Sequence, residues 1–438
     1  MSSLALILLE KELKVSGYDR SPSMLTKKLE DAGISICYED DPTALEGVDL
    51  ICYTAAVGPE HPQMIMAAKS GAKMIPRAEL LGAIADSYGN AVAVAGTHGK
   101  STTSGMLSHI FLHSEGKDPT VVVGAKIAEL DSAYKVGKDE NFIFEACEYK
   151  DSFLSFFPNI SVVLNIQLDH TDYFPTLEHI RLSFEKFMNN TKEDGVCVIN
   201  LDCENCRKAM EAYPGRLVTY GIEDGSKANY TARNIDLSDG FGKFDVYKDG
   251  AFLLRASLGV PGIHNVSNAL AAVAAAMESG LSEKEIATGL ATYYGVNRRF
   301  EFLKEIGGAR FFDDYAHHPD EIRVTLAAAK AITKGRVICA FQPHNYSRLR
   351  DLFDQFLTCF DDADQIVLTK LYAARESAGE EVSSALLADR LGAVYLEDAQ
   401  ALPEYLAQIC RPGDTVLIMG AGDIGKVAEK IKKSEKIS

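Results

Sequence analysis

Short apolar, β-branched runs alternate along this chain with longer amphipathic stretches, the pattern of α/β units built around mostly parallel sheets. In a first unit, residues 1–87, the runs Leu13–Ser16, Ile34–Cys37 and Asp49–Tyr53 predict strands. A second unit, residues 88–295, opens on the apolar run Ala91–Ala95 and continues through Phe142–Glu145 and Ser161–Asn165. Its polar stretch Gly221–Gly250 alternates and carries Asp-Gly pairs, which predicts antiparallel hairpins rather than another crossover. A third unit, residues 296–438, carries the runs Val337–Phe341, Gln365–Thr369 and Thr415–Met419. No internal repeat or low-complexity linker interrupts the pattern.

At about 150 residues per domain, the 438 residues suit two to three domains. The net charge of −17 excludes a broad nucleic-acid-binding surface, so any phosphate site must be a local cluster of N–H groups and a few cations. Nine scattered cysteines argue for a reducing compartment rather than a disulfide framework, and so for the cytoplasm. The longest apolar runs, Leu4–Leu9 and Ala269–Met277, fall far short of the ~18 residues of a membrane span, and the N-terminus lacks a signal-peptide pattern. The expectation is a soluble multidomain enzyme with no membrane or nucleic-acid partner.

The strongest chemical signal is Gly96-Thr97-His98-Gly99-Lys100-Ser101-Thr102, between an apolar strand and a helical stretch. Small residues let the backbone wrap an anion, and the following helix N-terminus favours negative charge. Lys100 would reach the terminal phosphates of ATP, and the Ser101 or Thr102 hydroxyl could ligate Mg²⁺. The strict loop pattern asks for glycine at position 94, where Val94 stands; the glycine comes at Gly96 instead. The segments Glu145-Ala146-Cys147-Glu148 and Asn165-Ile166-Gln167-Leu168-Asp169-His170-Thr171-Asp172 end two predicted strands at the same sheet edge. A carboxylate and an imidazole there suit a divalent ion carrying phosphates; solvated strand-end polar residues are the equal alternative. Cys203 and Cys206 have zinc-like spacing with no second pair. Gly420-Ala421-Gly422-Asp423-Ile424-Gly425 resembles a dinucleotide fingerprint but lies too near the end to hold the rest of a βαβ unit, so a tight strand–helix turn is expected.

Together these residues resemble the Mur ligases, the ATP-dependent amide-forming enzymes of peptidoglycan precursor synthesis. The likeness runs in family order through the phosphate loop, Glu145–Glu148, Asn165–His170, Gly262–Ala269, Asn297–Glu301, Asp313–Pro319 and Phe341–Arg348. It implies a three-domain α/β fold: an incomplete Rossmann-like N-terminal domain for a UDP-sugar, a central P-loop-type ATPase domain, and a Rossmann-like C-terminal domain for an amino acid. The activity implied is ATP-dependent joining of L-alanine to UDP-N-acetylmuramate. Peptide ligation in cell-wall recycling and a regulatory ATP-binding module without ligase activity stay open as alternatives.

Carried over by motif, the resemblance places Lys100 on the β/γ-phosphates, with Thr102, Glu148 and His170 near Mg²⁺. His264, Asn265 and Asn268 match the adenine segment, while Arg299 and Asp314 match a phosphate-contacting arginine and a ribose-contacting aspartate. Tyr315, His317, His344 and Arg348 would surround L-alanine, with Asn345 where some relatives have Arg. Lys100, Glu148, His170, Arg299 and His317 form the expected catalytic set, in a monomer or homodimer. Family members begin with a strand and a Gly-rich loop that meets the UDP diphosphate. Here residues 1–13 read as the helix that follows them, which implies weak UDP-sugar binding.

Overall fold

The computed structural model describes residues 1–54, 57–171, 173–222, 227–374, 376 and 382–434. Its centre is a ten-stranded sheet among the described residues. In spatial order the strands are Ala251–Pro261, Phe241–Lys248, Tyr230–Asp236, Leu217–Gly221, Val196–Asn200, Ile160–Val163, Asn90–Ala95, Asn141–Glu145, Thr120–Ile127 and Ser132–Lys135. The seven from Tyr230–Asp236 to Thr120–Ile127 are parallel, and the outer strands on both sides are antiparallel.

Asn90–Ala95 lies inside this sheet with Ala91 through Ala95 fully buried, because helices cover both faces. Val92 and Val94 face the helices Lys100–Leu112, Ile263–Glu278 and Glu283–Ala291. Ala91, Ala93 and Ala95 face Arg77–Asp86, Leu177–Asn189 and Glu204–Met210. The apolar run Ala269–Met277 is thereby a core helix, its alanines allowing close packing on the sheet.

A six-stranded sheet follows in the order Glu301–Ile306, Ala309–Asp314, Thr415–Met419, Val337–Phe341, Gln365–Thr369, Val394–Leu396, antiparallel only at its first pair. Helices cover it on both faces, including Pro319–Ile332 and Ile424–Lys433. The N-terminal residues form two separate parallel pairs, Ser16–Tyr18 with Ser35–Cys37 and Leu50–Tyr53 with Lys73–Pro76, after an opening helix Ser2–Glu10. No helix among the described residues is long and apolar enough to cross a membrane.

Two expectations are corrected. Leu13 is not in a strand: Glu12 takes φ of 63°, and the Leu13 N–H donates to the Leu8 carbonyl at 3.0 Å, closing the helix, so the strand begins at Ser16. The antiparallel hairpins lie within Tyr230–Pro261, whereas Leu217–Gly221 pairs parallel with Tyr230–Asp236; residues 223–226 of that polar stretch lie outside the described residues. The C-terminal sheet starts at Glu301, while Val296 still bridges Ile127 of the central sheet.

Arg77–Asp86 packs on the turn Tyr149–Ser155, and Gly82 is the point of contact: a Cβ there would sit 2.1 Å from the Ser155 carbonyl oxygen. Alanine favours a helix interior over glycine by roughly 1 kcal/mol, but a clash with fixed backbone outweighs that gain. Gly82→Ala should therefore lower stability by about 1–3 kcal/mol in urea unfolding, the usual cost of overpacking. An unchanged or higher midpoint would show that the helix is free to shift.

Candidate active site at the phosphate loop

The strand Asn90–Ala95 delivers the chain into the loop, and two glycines make the turn possible. Gly96 has φ of 147° and Gly99 has φ of 85°, a left-handed conformation costly for other residues. A Cβ on Gly99 would also stand 2.7 Å from Asn268 Oδ1, so the loop and the helix Ile263–Glu278 approach too closely for a side chain. Asn165 fixes the loop from the next strand: its Oδ1 accepts from the His98 N–H at 2.8 Å and its Nδ2 donates to the His98 carbonyl at 3.0 Å. Thr97 Oγ1 and Gln167 exchange two further bonds. The helix then starts at Lys100, with its first N–H groups facing the loop.

Lys100 folds over this turn and donates to the Gly96 and Thr97 carbonyls and to both oxygens of Glu148, at 3.1 and 2.9 Å. Glu148 is completely buried, and His170 Nε2 lies 3.9 Å from its Oε1. Burial works against the Lys100 charge, but Glu148 more than offsets it and holds the ammonium pKa above its ordinary value. His170 has φ of 52° and stacks near Tyr149, 4.7 Å between ring centres, which fixes it beside the carboxylate.

The C-terminal sheet closes over this cluster. Glu321, in the first turn of Pro319–Ile332, accepts from the His317 and His318 N–H groups, a capping arrangement. The same carboxylate reaches His98 Nδ1 of the phosphate loop at 3.1 Å and Arg299 at 3.8 Å. Against burial, the imidazoles of His317 and His98 and the Arg299 guanidinium hold Glu321 well below the usual carboxylate range. Burial alone would lower His98, yet Glu321 raises it above its ordinary value. His98 Nε2 is buried without a hydrogen-bond partner.

A second contact joins Asp169 to Arg348 at 3.0 Å, both ends buried. Burial opposes the charge on Asp169, and Arg348 holds the carboxyl far below its ordinary range. Arg348 Nε is also buried and unpartnered. Beside it lies a small, partly open cleft of about 20 Å³, lined by Asp169, His170, Thr171, Asn345, Ser347, Arg348 and Leu352. His344 neighbours Arg348 and lies 6.1 Å from His317 between ring centres; burial pushes His344 to about 4 and His317 to about 3, so both are neutral at pH 7. Tyr315 lies under Arg298 and Arg299, about 5 Å from each.

The structure thus brings Lys100, Glu148, His170, His98, Arg299, His317, His344 and Arg348 into one connected cluster. Asp314 stands behind it, accepting from the Phe300 and Ala316 N–H groups, and burial raises its carboxyl to about 6. Ser101 is buried and Thr102 half-buried in the first helical turn, with the Thr102 carbonyl taken by the Tyr293 hydroxyl. Asn265 and Asn268 spend their amides inside the protein: Asn268 donates to Asn265 at 3.0 Å and Asn265 to the Pro261 carbonyl at 2.7 Å. Burial keeps His264, next to them, near 4. Asp172 lies outside the described residues.

Sequence reasoning missed Glu321, whose only signal was its place in a Pro-initiated helix turn, and the partnership of Asp169 with Arg348. It also passed over Arg298, which donates to Asp313 and to the Gly420 carbonyl. That contact explains the glycine-rich segment as a tight strand–helix turn. A Cβ on Gly425 would meet the Arg298 guanidinium at 2.7 Å, and one on Gly422 the Gln342 amide oxygen at 2.4 Å.

A phosphate loop on a parallel sheet, a buried lysine–glutamate pair and a cluster of imidazoles and guanidinium groups brought by a second α/β sheet define a nucleotide-using enzyme of the ligase type. Three family models match the chain in order: Mur ligase family, catalytic domain (residues 1–88), Mur ligase middle domain (94–276) and Mur ligase, glutamate ligase domain (298–422). The UDP-N-acetylmuramate–L-alanine ligase of Clostridium perfringens is 40% identical over 99% of this chain and 95% of its own. The enzyme of that name from Acetivibrio thermocellus is 40% identical over 100% and 94%. The crystal structure of UDP-N-acetylmuramate–alanine ligase from Thermotoga maritima superposes with a TM-score of 0.82 at 27% identity, covering 99% of this chain and 96% of that one. The chain belongs to the Mur ligase family.

His317 gives a pH test of the closed arrangement. Its pKa is near 6.5 unfolded and about 3 folded, so the unfolded chain binds the proton first as pH falls. The stability linked to its neutral form is complete above pH 6.5 and is lost as pH drops towards 3. Gln carries no proton, so the stability of His317→Gln relative to the parent should rise by roughly 2 kcal/mol between about pH 7 and 5. A difference independent of pH, measured by urea unfolding, would mean that His317 is not buried in solution.

Proposed function

We infer that this chain is an ATP-dependent ligase joining L-alanine to the carboxylate of UDP-N-acetylmuramate, with release of ADP and phosphate, in peptidoglycan precursor synthesis. The observation that carries the reading is the near-full-length match to relatives of that activity, supported by the buried guanidinium of Arg348 at the cleft between the two sheets. All nine cysteines are unpaired, which supports a cytoplasmic setting.

A carboxylate and an amine do not condense in water, so the carboxylate must first become an acyl phosphate. The loop N–H groups, Lys100 and the positively shifted His98, with its unpartnered Nε2, suit the ATP phosphates, and Arg299 adds charge from the other sheet. The fully buried Glu148 carboxylate, with His170 3.9 Å away, fits Mg²⁺, to which Thr102 in the first turn of the loop helix would add a hydroxyl; the ion's charge would neutralise the phosphate oxygens. Lys100 would then exchange its hold on Glu148 for phosphate. The substrate carboxylate oxygen attacks the γ-phosphorus and ADP leaves. The alanine amine next attacks the acyl carbon, inorganic phosphate leaves, and a neutral His317 or His344 takes the amine proton. Arg348 offers its free Nε to the alanine carboxylate. The docked C-terminal sheet keeps water from the acyl phosphate.

Phosphate release should require UDP-N-acetylmuramate and alanine together with ATP. Glu148→Gln, which keeps size but loses charge, should cut that coupled release at least ~100-fold, the scale of losing one electrostatic stabiliser. Release that ignores either substrate, or a Glu148→Gln enzyme of near-normal rate, would refute the reading.

A further inference from the structure

Among the described residues two groups of three metal-ligating side chains converge. His98, His318 and Asp320 belong to the site above; His109, His113 and Glu129 do not. We propose that His109, His113 and Glu129 form a binding site for one divalent transition-metal ion of the zinc class. His109 is nine positions beyond Lys100 on the same helix, roughly 14 Å along its axis, so this is a separate place on the central sheet.

The two histidines stand one helical turn apart, with ring centres 4.1 Å from each other, and Glu129 reaches them from the turn between the edge strands Thr120–Ile127 and Ser132–Lys135. His109 Nδ1 is 2.9 Å and His113 Nε2 is 3.5 Å from the two Glu129 oxygens, and the ligand atoms of all three residues lie within 4.8 Å of one another.

Each ring is also held from its far side. His113 Nδ1 lies 3.0 Å from the His109 carbonyl, which only accepts, so Nδ1 carries a hydrogen and Nε2 is the atom turned to Glu129. Thr292 Oγ1, 3.0 Å from His109 Nε2, can accept its hydrogen while bonding the Thr288 carbonyl, the tautomer that a metal on Nδ1 would need. Both near-side nitrogens thus point at the one carboxylate.

The far-side bonds are those that orient metal-bound imidazoles. Two imidazoles at i and i+4 plus a carboxylate are a zinc-type donor set with a fourth position for water. Glu129 and His113 are exposed, which gives an ion its way in, while His109 is buried. Bound there, the ion would tie the end of the phosphate-loop helix to the edge hairpin.

The test is calorimetric titration of the full chain, stripped of metal and held in excess Mg²⁺ to occupy the nucleotide-linked positions, with Zn²⁺. One equivalent should bind, His113→Ala and Glu129→Gln should each weaken it at least ~10-fold, and His170→Ala should leave it unchanged. Co²⁺ on the unmutated chain should give the intense visible absorption of a four-coordinate site. Circular dichroism of the metal-free variants reads their folding separately, and the Co²⁺ spectrum stands without them. Zn²⁺ binding equal in the parent and both variants, binding lost with His170→Ala instead, or no four-coordinate Co²⁺ spectrum would overturn the proposal.

Discussion

One buried carboxylate sets how the two larger sheets meet. Glu321 leaves the first turn of its helix as a charge with little access to water, and such a charge is tolerated only where cations and N–H groups surround it. Its own helix supplies two N–H groups and Arg299 lies close on its own side, but the nearest imidazole of all belongs to the phosphate loop, at His98. The C-terminal sheet is therefore held where Glu321 can reach His98. Asp169 and Arg348 repeat the device with the signs exchanged between sheets, the acid now on the central one.

These two contacts also sort the protons of the site. Next to Glu321, His98 is pushed towards its charged form. His317 and His344, buried in the same junction with Arg348 nearby, are pushed the other way and stay neutral. The same chemical group is pushed in opposite directions a few ångströms apart because burial and the sign of the nearest charge differ. The contact between the sheets and the charge pattern of the proposed site are then one electrostatic arrangement.

What was legible in the sequence follows from which forces are local. The tight turn before the helix could be read because its glycines, Lys100 and the flanking apolar strand stand in succession, and Glu148 and His170 drew notice because each follows an apolar strand; the structure places both beside Lys100 or its partner. The hairpins near Tyr230–Pro261 announced themselves by alternation and Asp-Gly turns. Strands such as Thr120–Ile127 and Val196–Asn200 went unread, since a short buried run has the periodicity of neither element. The partners of Glu321 and Arg348 were invisible for a different reason. Asp169 and Arg348 are 179 positions apart, Glu321 and His98 223, and only the packing of two sheets brings them together.

The claim that this contact couples the phosphate loop to the C-terminal sheet is tested most directly by a double-mutant cycle on His98→Asn and Glu321→Gln, read in alanine-dependent phosphate release. If the contact acts as one unit, the double variant is little worse than the poorer single variant, with a coupling energy of about 1–3 kcal/mol. Losses that add to within ~0.5 kcal/mol would contradict the account.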